Sequence, residues 1–224
     1  MISTRWSQVL AAGRGDAAAH SALAWLCSAY WQPLLEHVRR RGYGEADAED
    51  LTQDFLLAVI EGGIVERADR ARGRFRTFLL ACLDHHLGHA RERSAAQKRG
   101  GGVRHVGLEC EQGMVDDPLA FDREWAESVL ARAVDRLRAG DEDGQRLEAL
   151  LPFLTTNGDA AAYGAVGQRL GLALSAVRVA VHRLRRRYAE AVRAEVAETL
   201  HNPDQQAIDN EISDLLAAVG QKSR

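Results

Sequence analysis

The sequence predicts an all-α protein: two small helical domains joined by a flexible linker, the second containing a helix-turn-helix, plus a C-terminal tail helix. Three observations predict it. The 224 residues are poor in aromatics (6%) and in proline (four), and rich in Ala, Leu, Arg and Glu, a mixture that favours helix over sheet. Apolar residues recur at three- and four-residue spacing in one segment after another, which gives each segment a single buried stripe. The triplet Gly100-Gly101-Gly102, followed by a stretch with no period up to about Pro118, divides the chain in a way no helix tolerates. The domains so predicted are residues 1–99 and 125–194, with a linker at 100–124 and a helical extension at 195–224.

The first helix carries Leu23, Leu26, Tyr30, Leu34 and Val38 on one stripe and stops at Arg39-Arg40-Arg41-Gly42, with cations in its last turn and glycine at the exit. A second helix, from about Glu45 to Ile60, opens with Glu45, Asp47, Glu49 and Asp50 at the positive end of its dipole. Gly62-Gly63 closes it, and a basic loop runs to Arg76. A third helix, about Phe75 to Lys98, turns Phe78, Leu79, Cys82, Leu83 and Leu87 inward. In the second domain, Leu130, Val134 and Leu137 form one stripe, and Leu147, Leu150, Leu151 and Leu154 another. Two further helices, Ala162 to Leu170 and about Leu174 to Val192, flank Gly171-Leu172-Ala173. The tail helix is predicted to start with Asn202 as N-cap and Pro203 in its first turn. Its apolar stripe is Ile208, Ile212, Leu215 and Val219.

The net charge of −3 conceals a strong pattern. Ten basic residues face three acids between Arg67 and Arg104, and six arginines face Glu190 alone between Arg178 and Arg193. Two basic islands in an otherwise acidic chain suggest two separate contacts with a polyanion. The tail is acidic, through Glu195, Glu198, Asp204, Asp209, Glu211 and Asp214. Such a helix is too short to stand alone in water, so it should pack on the body, as a brace or as a mask over the basic cluster Arg185-Arg186-Arg187. The three cysteines form no CxxC pair, which reads as reduced thiols. No apolar run is long enough to span a membrane, and the N-terminus has no apolar signal core, so the cytoplasm is the expected address.

The segment from Tyr163 to Val177 fits a helix-turn-helix. Helices crossing at a steep angle need a small residue at the crossing, here Gly167, and the tight turn needs one that accepts positive φ, here Gly171. Val166, Leu170, Leu172, Val177 and Val181 supply the core between them. The second helix then presents Leu174, Ser175, Arg178, His182, Arg185 and Arg186. Ser175 and Arg178, near its start, are placed to read base edges; His182, Arg183, Arg185, Arg186 and Arg187 are placed for phosphates.

Three blocks in order and register resemble RNA polymerase sigma factors of the extracytoplasmic-function type. Asp47-Ala-Glu-Asp50-Leu51-Thr52-Gln53-Asp54-Phe55 resembles the polymerase-binding helix of that family, whose signature is close to D-x-x-D-L-T-Q-E-x-F. Phe75-Arg76-Thr77-Phe78-Leu79 resembles its F-R-T-W-L block, and Gly171 to Arg186 its C-terminal recognition helix. The resemblance covers about residues 4–100 and 125–192. It implies a subunit without covalent chemistry or cofactor, whose partners are core RNA polymerase and promoter DNA, with room for an anti-sigma or other regulator. Asp47, Asp50, Gln53 and Asp54 would bind core polymerase. Arg72, Arg74, Phe75, Arg76, Phe78, Arg91 and Arg93 would hold the minus-ten element and its flipped base. Ser175, Arg178, His182, Arg183, Arg185 and Arg186 would read the minus-thirty-five element. The chain departs from the pattern at Ala173, where the family has a capping Ser or Thr, and at Asp84-His85-His86-Leu87-Gly88-His89, which interrupts the third helix's usual sequence.

Other readings are weaker. A stand-alone helix-turn-helix regulator needs the C-terminal half but not the Asp50-to-Phe55 block. A helical adaptor would use the same surfaces for protein contacts alone. Cys82, His85 and His89 share a helix face at metal-ligand spacing, but no second ligand group accompanies them. The acids from Asp47 to Asp54 belong in the first turns of a helix in any case. There is no phosphate-binding loop, zinc-protease motif or nucleophile elbow, so the sequence does not read as an enzyme.

Overall fold

The computed structural model describes residues 17–61, 75–98, 118–200 and 204–220. Among these it contains eight α-helices and no strand: α1 (Ala17–Arg40), α2 (Glu45–Glu61), α3 (Phe75–Lys98), α4 (Pro118–Ala139), α5 (Gly144–Leu150), α6 (Ala160–Leu170), α7 (Leu174–Thr199) and α8 (Gln205–Gly220), with a 3-10 turn at Leu151–Leu154 after α5. They gather into two compact units. Described residues up to Ser128, with those from Asp214 onward, form one; Val129–Ser213 form the other. The division thus falls inside α4 and inside α8, rather than in the glycine-rich segment, which lies outside the described residues. Residues 118–124, assigned to the linker by sequence, are helical, and Phe121 among them is fully buried.

In the first unit α1 packs on α2, and α2 on α3. Tyr30, Leu34 and Val38 from α1, Phe55 and Val59 from α2, and Leu79, Leu83 and Leu87 from α3 fill the core as their spacing predicts, joined by Phe121 and Trp125 of α4. The exit from α1 uses Gly42 at φ 87, where a side chain would be strained. Pro33 lies inside α1 and has no N–H to bond back to Ala29. The hydroxyl of Ser128 donates to that Ala29 carbonyl at 3.3 Å, so the proline also opens an acceptor to α4. Several buried polar side chains find a partner within this unit. His37 Nε2 lies 2.7 Å from Asp84 Oδ1, and Arg41 donates to the same oxygen at 2.6 Å. Thr52, wholly buried in α2, donates to the Ala48 carbonyl at 2.7 Å. Cys27 is a free thiol, whereas Cys82 is disulfide-bonded, which corrects the expectation that all the cysteines are reduced.

In the second unit the α4 stripe differs from the sequence expectation. Val129, Ala133 and Leu137 are buried, while Leu130 and Val134 are only half-buried. The small Ala133 marks the true contact row, and a reading that weighs large apolar residues passes over it. Likewise Leu147 and Leu150 are buried, but the next core residue is Phe153, not Leu151 or Leu154. Pro152 ends the α-helical hydrogen bonding, and the tighter 3-10 turn rotates Phe153 inward. Helix α7 runs to Thr199, beyond the expected end near Val192. The extra turns bring Glu195, 4% exposed, to Arg132 at 3.0 Å and Arg136 at 2.8 Å, and Glu198 to Arg136 at 2.7 Å. Glu195 is the buried member, so its carboxylate depends on these two arginines to offset its desolvation.

The tail helix α8 starts later than predicted. Asp204 caps it, accepting from the Ala207 N–H at 2.7 Å; Asn202 and Pro203 lie outside the described residues. On its stripe Leu215 is buried, Ile208 and Ile212 are half-buried, and Val219 is exposed.

One glycine sets the geometry of the α6–α7 connection. Gly167 is buried, and a Cβ there would lie 2.6 Å from the Leu172 carbonyl oxygen. The neighbour is backbone and cannot swing aside. Gly167→Ala is therefore expected to destabilise the second unit by about 1–3 kcal/mol, in the range of other overpacking substitutions. Thermal unfolding of the full chain checks this; an unchanged melting temperature would contradict the close approach.

Candidate nucleic-acid interface

The candidate surface is built from α6, its turn and the first half of α7. Asp159 caps α6, accepting from the Ala162 N–H at 2.7 Å, and so satisfies one of the donors a helix start leaves open. The chain leaves α6 through Gly171 at φ 66, and the Leu172 N–H bonds back to the Gly167 carbonyl at 2.8 Å. Ala173 then stands extended before α7 with no side-chain cap. Ser175 does not replace the missing cap; the start of α7 is held by the backbone bond from the Val177 N–H to the Ala173 carbonyl at 3.1 Å.

From there α7 divides cleanly. Val177, Ala180, Val181 and Leu184 are buried. Leu174, Ser175, Arg178, Val179, His182, Arg183 and Arg186 are exposed. These seven occupy one continuous half of the helix circumference at about 100° per residue. The expected core residues Val166, Leu170 and Leu172 are only half-buried, because Gly167 lets the backbones meet where side chains would otherwise fill the space.

The arginines of α7 separate into two groups. Arg185 donates to the carbonyls of Phe153 and Thr156 at 2.9 and 3.0 Å and to Asn157 Oδ1 at 3.1 Å. It fastens the segment between the 3-10 turn and α6. Arg187 binds Asp141 at 2.6 Å and holds that carboxyl below its usual range. Arg193 is gripped by Asp209 of the tail helix. Arg185 is thus a structural ligand rather than an outward phosphate contact, as is Arg187, whereas Arg178 and Arg183 have no hydrogen bond or ion pair among the described residues. Arg186 has a single loose partner, Glu190 at 3.6 Å, with both side chains in solvent. Asp209 of the tail helix thus engages Arg193 rather than the Arg185–Arg187 cluster.

In the first unit, Asp47, Asp50, Gln53 and Asp54 are all exposed on α2, while Phe55 behind them is buried. Arg72 and Arg74 lie outside the described residues. Phe75 is half-buried, its ring edge-on to Tyr30 at 5.7 Å and 6.4 Å from Phe78, which is also half-buried. Arg76 departs from expectation. It is 4% exposed, donates to Asp122 at 2.6 Å and lies over the Trp125 ring at 4.5 Å. A guanidinium enclosed in this way joins α3 to α4 and is not presented to solvent. Arg91 and Arg93 are exposed; Arg91 donates to the Tyr43 hydroxyl and the Arg41 carbonyl, each at 3.1 Å, and Arg93 to the His89 carbonyl at 3.3 Å. Asp122, Trp125 and Asp141, which decide which arginines face outward, were not identified from the sequence. Their partners lie 46 or more residues away in the chain, and no local spacing encodes such a pairing.

The histidines of α3 do not complete a metal site. His85 and His89 bring their Nε2 atoms to 3.3 Å, but no group of three or more potential ligands exists among the described residues. His86 points inward, 5.7 Å from the Phe55 ring.

No family model, curated protein or solved structure matches this chain. No helix of the described residues is long and apolar enough to cross a membrane.

Burial, aided by the charge of Arg93, holds the His86 imidazole below its ordinary value of 6.5, and Asp54 opposes this only in part. The unfolded chain therefore takes up that proton first. The contribution of neutral His86 to stability is complete above about 6.5 and is lost as pH falls through the lower folded-state value. His86 is expected to titrate below 6.5 by nuclear magnetic resonance, and His86→Gln to flatten part of the acid-side loss in melting temperature. A midpoint at or above 6.5 would overturn this.

Proposed function

We propose that the chain is an RNA polymerase sigma factor of the extracytoplasmic-function type, which directs core polymerase to promoters and assists opening of the duplex. The observation that carries this reading is the outer face of α7. The turn between α6 and α7, with Gly167 and Gly171 at its bend, holds Ser175, Arg178, His182, Arg183 and Arg186 outward together, over a buried row of Val177, Val181 and Leu184. A helix presented in this way fits the major groove, its early residues at base edges and its later cations at phosphates. The exposed Asp47, Asp50, Gln53 and Asp54 supply a second surface, one a stand-alone helix-turn-helix regulator does not need.

In this reading α2 docks on core polymerase and α7 reads the minus-thirty-five element. Arg72 and Arg74 of the basic segment before α3, with Phe75, Phe78 and the exposed Arg91 and Arg93 of α3, hold the minus-ten strand. Flipping a base out of the duplex costs a few kcal/mol, and aromatic stacking with phosphate contacts offsets it. The deciding experiment is co-purification with core polymerase, followed by transcription from a genomic library with start-site mapping. Specific starts that depend on the chain support the proposal. Sequence-specific duplex binding without polymerase association would indicate a regulator instead.

Asp50→Arg with Gln53→Ala is expected to weaken core-polymerase binding while leaving the circular dichroism spectrum unchanged, since both side chains point outward. Undiminished affinity in a folded double variant would remove α2 from the polymerase interface. Arg178→Ala is expected to relax base preference at one upstream position, at a cost of about 1–3 kcal/mol. Arg186→Ala should weaken binding to all promoters alike and lower the salt slope by about one. Identical behaviour of the two variants across a promoter library would show that α7 sits differently in the groove.

A further inference from the structure

Val179 is the large apolar residue on the basic face of α7 that nothing in the fold explains. It is 49% exposed, and its side chain fills no core position. Ser175 lies one turn before it and Arg183 one turn after, while Arg178 and His182 flank it on the same half of the helix. At about 100° per residue, Val179 falls within roughly 50° of the centre of the exposed arc, whereas Leu174 marks its edge. Val179 is thus carried towards whatever the polar residues contact. A β-branched side chain is also a poorer choice than Ala or Lys for an exposed helix position, so local helix stability does not account for it.

We infer that Val179 reads the C5-methyl group of a thymine in the major groove, alongside the polar contacts of Ser175 and Arg178. The inference rests on the proposed DNA-reading role of α7. The occupant follows from the surroundings. Arg178, Arg183 and Arg186 make this face cationic, and Glu190 is the nearest acid on it, so a polyanion complements it and an apolar protein surface does not. The thymine methyl is the apolar group that B-DNA offers in the major groove, and small apolar side chains recognise it by direct contact. A stiff, branched valine suits that task, because it has little rotamer freedom to lose.

The experiment uses the full chain with core polymerase. Duplexes that bind are selected from a random library, and each thymidine of the enriched sequence is then replaced singly by deoxyuridine, which removes only the methyl group. At one position this replacement is expected to weaken binding about fourfold, as withdrawal of one buried methyl group from contact would. Val179→Ala should weaken binding to the thymidine duplex by a similar factor and abolish the thymidine–deoxyuridine difference at that position, leaving preferences elsewhere intact. Because Val179 is exposed and alanine is a better helix former, this variant is expected to fold. An enriched sequence bound equally well with thymidine and deoxyuridine throughout, or a difference that persists in Val179→Ala, overturns the inference alone. Failure to enrich any sequence overturns the DNA-reading role as well.

Discussion

The candidate interface depends on the close approach of two backbones, at Gly167 and Leu172. The Leu172 N–H bonds to the Gly167 carbonyl, and its own carbonyl oxygen stands where a Cβ of residue 167 would be. Only glycine allows this contact. With Gly171 accepting the left-handed conformation four residues later, it fixes where α7 begins and which side of it is buried. Every assignment of Ser175, Arg178, Val179, His182, Arg183 and Arg186 to the outer face follows from that rotation. The absence of a capping side chain at Ala173 is tolerated because the turn itself defines the helix start.

Charge serves two purposes in this chain. Part of it joins the helices. His37 and Arg41 share Asp84, Arg76 joins Asp122 over Trp125, and Arg132 and Arg136 hold the buried Glu195. Arg76 and Glu195 are buried within these sets, so each must keep its partner to remain tolerable. The remainder stands in solvent, where attraction to a polyanion acts over the range set by ionic strength. A count of arginines along the sequence merges the two classes. On α7 the distinction reduces six arginines to Arg178, Arg183 and Arg186 as the outward set, because Arg185, Arg187 and Arg193 each bind elsewhere in the second unit.

Much of the fold was legible because it is encoded locally. Tyr30, Leu34 and Val38 lie on one turn-by-turn row, as do Leu79, Leu83 and Leu87, and both rows are buried. The acidic opening of α2 and the exposure of Asp47, Asp50, Gln53 and Asp54 follow from helix dipole and period alone. Legibility failed where a contact row uses small residues, as at Ala133, or where a local break changes the period, as at Pro152. It also failed for pairs distant in sequence. Arg76 belongs to a block whose resemblance places it at DNA, yet Asp122 and Trp125 enclose it.

By itself the sequence determined the all-helical class, most helix boundaries within a few residues, and the glycines at 167 and 171, because periodicity, capping and backbone sterics act within a few residues of each other. It also supplied the family resemblance from which the proposed function comes. Only the tertiary structure decided which charges are internal ligands and which face solvent, that Phe121 and Trp125 belong to a core rather than to a linker and its edge, and that Asp209 meets Arg193. Those outcomes depend on side chains that approach only after the helices pack, and on the desolvation that packing imposes.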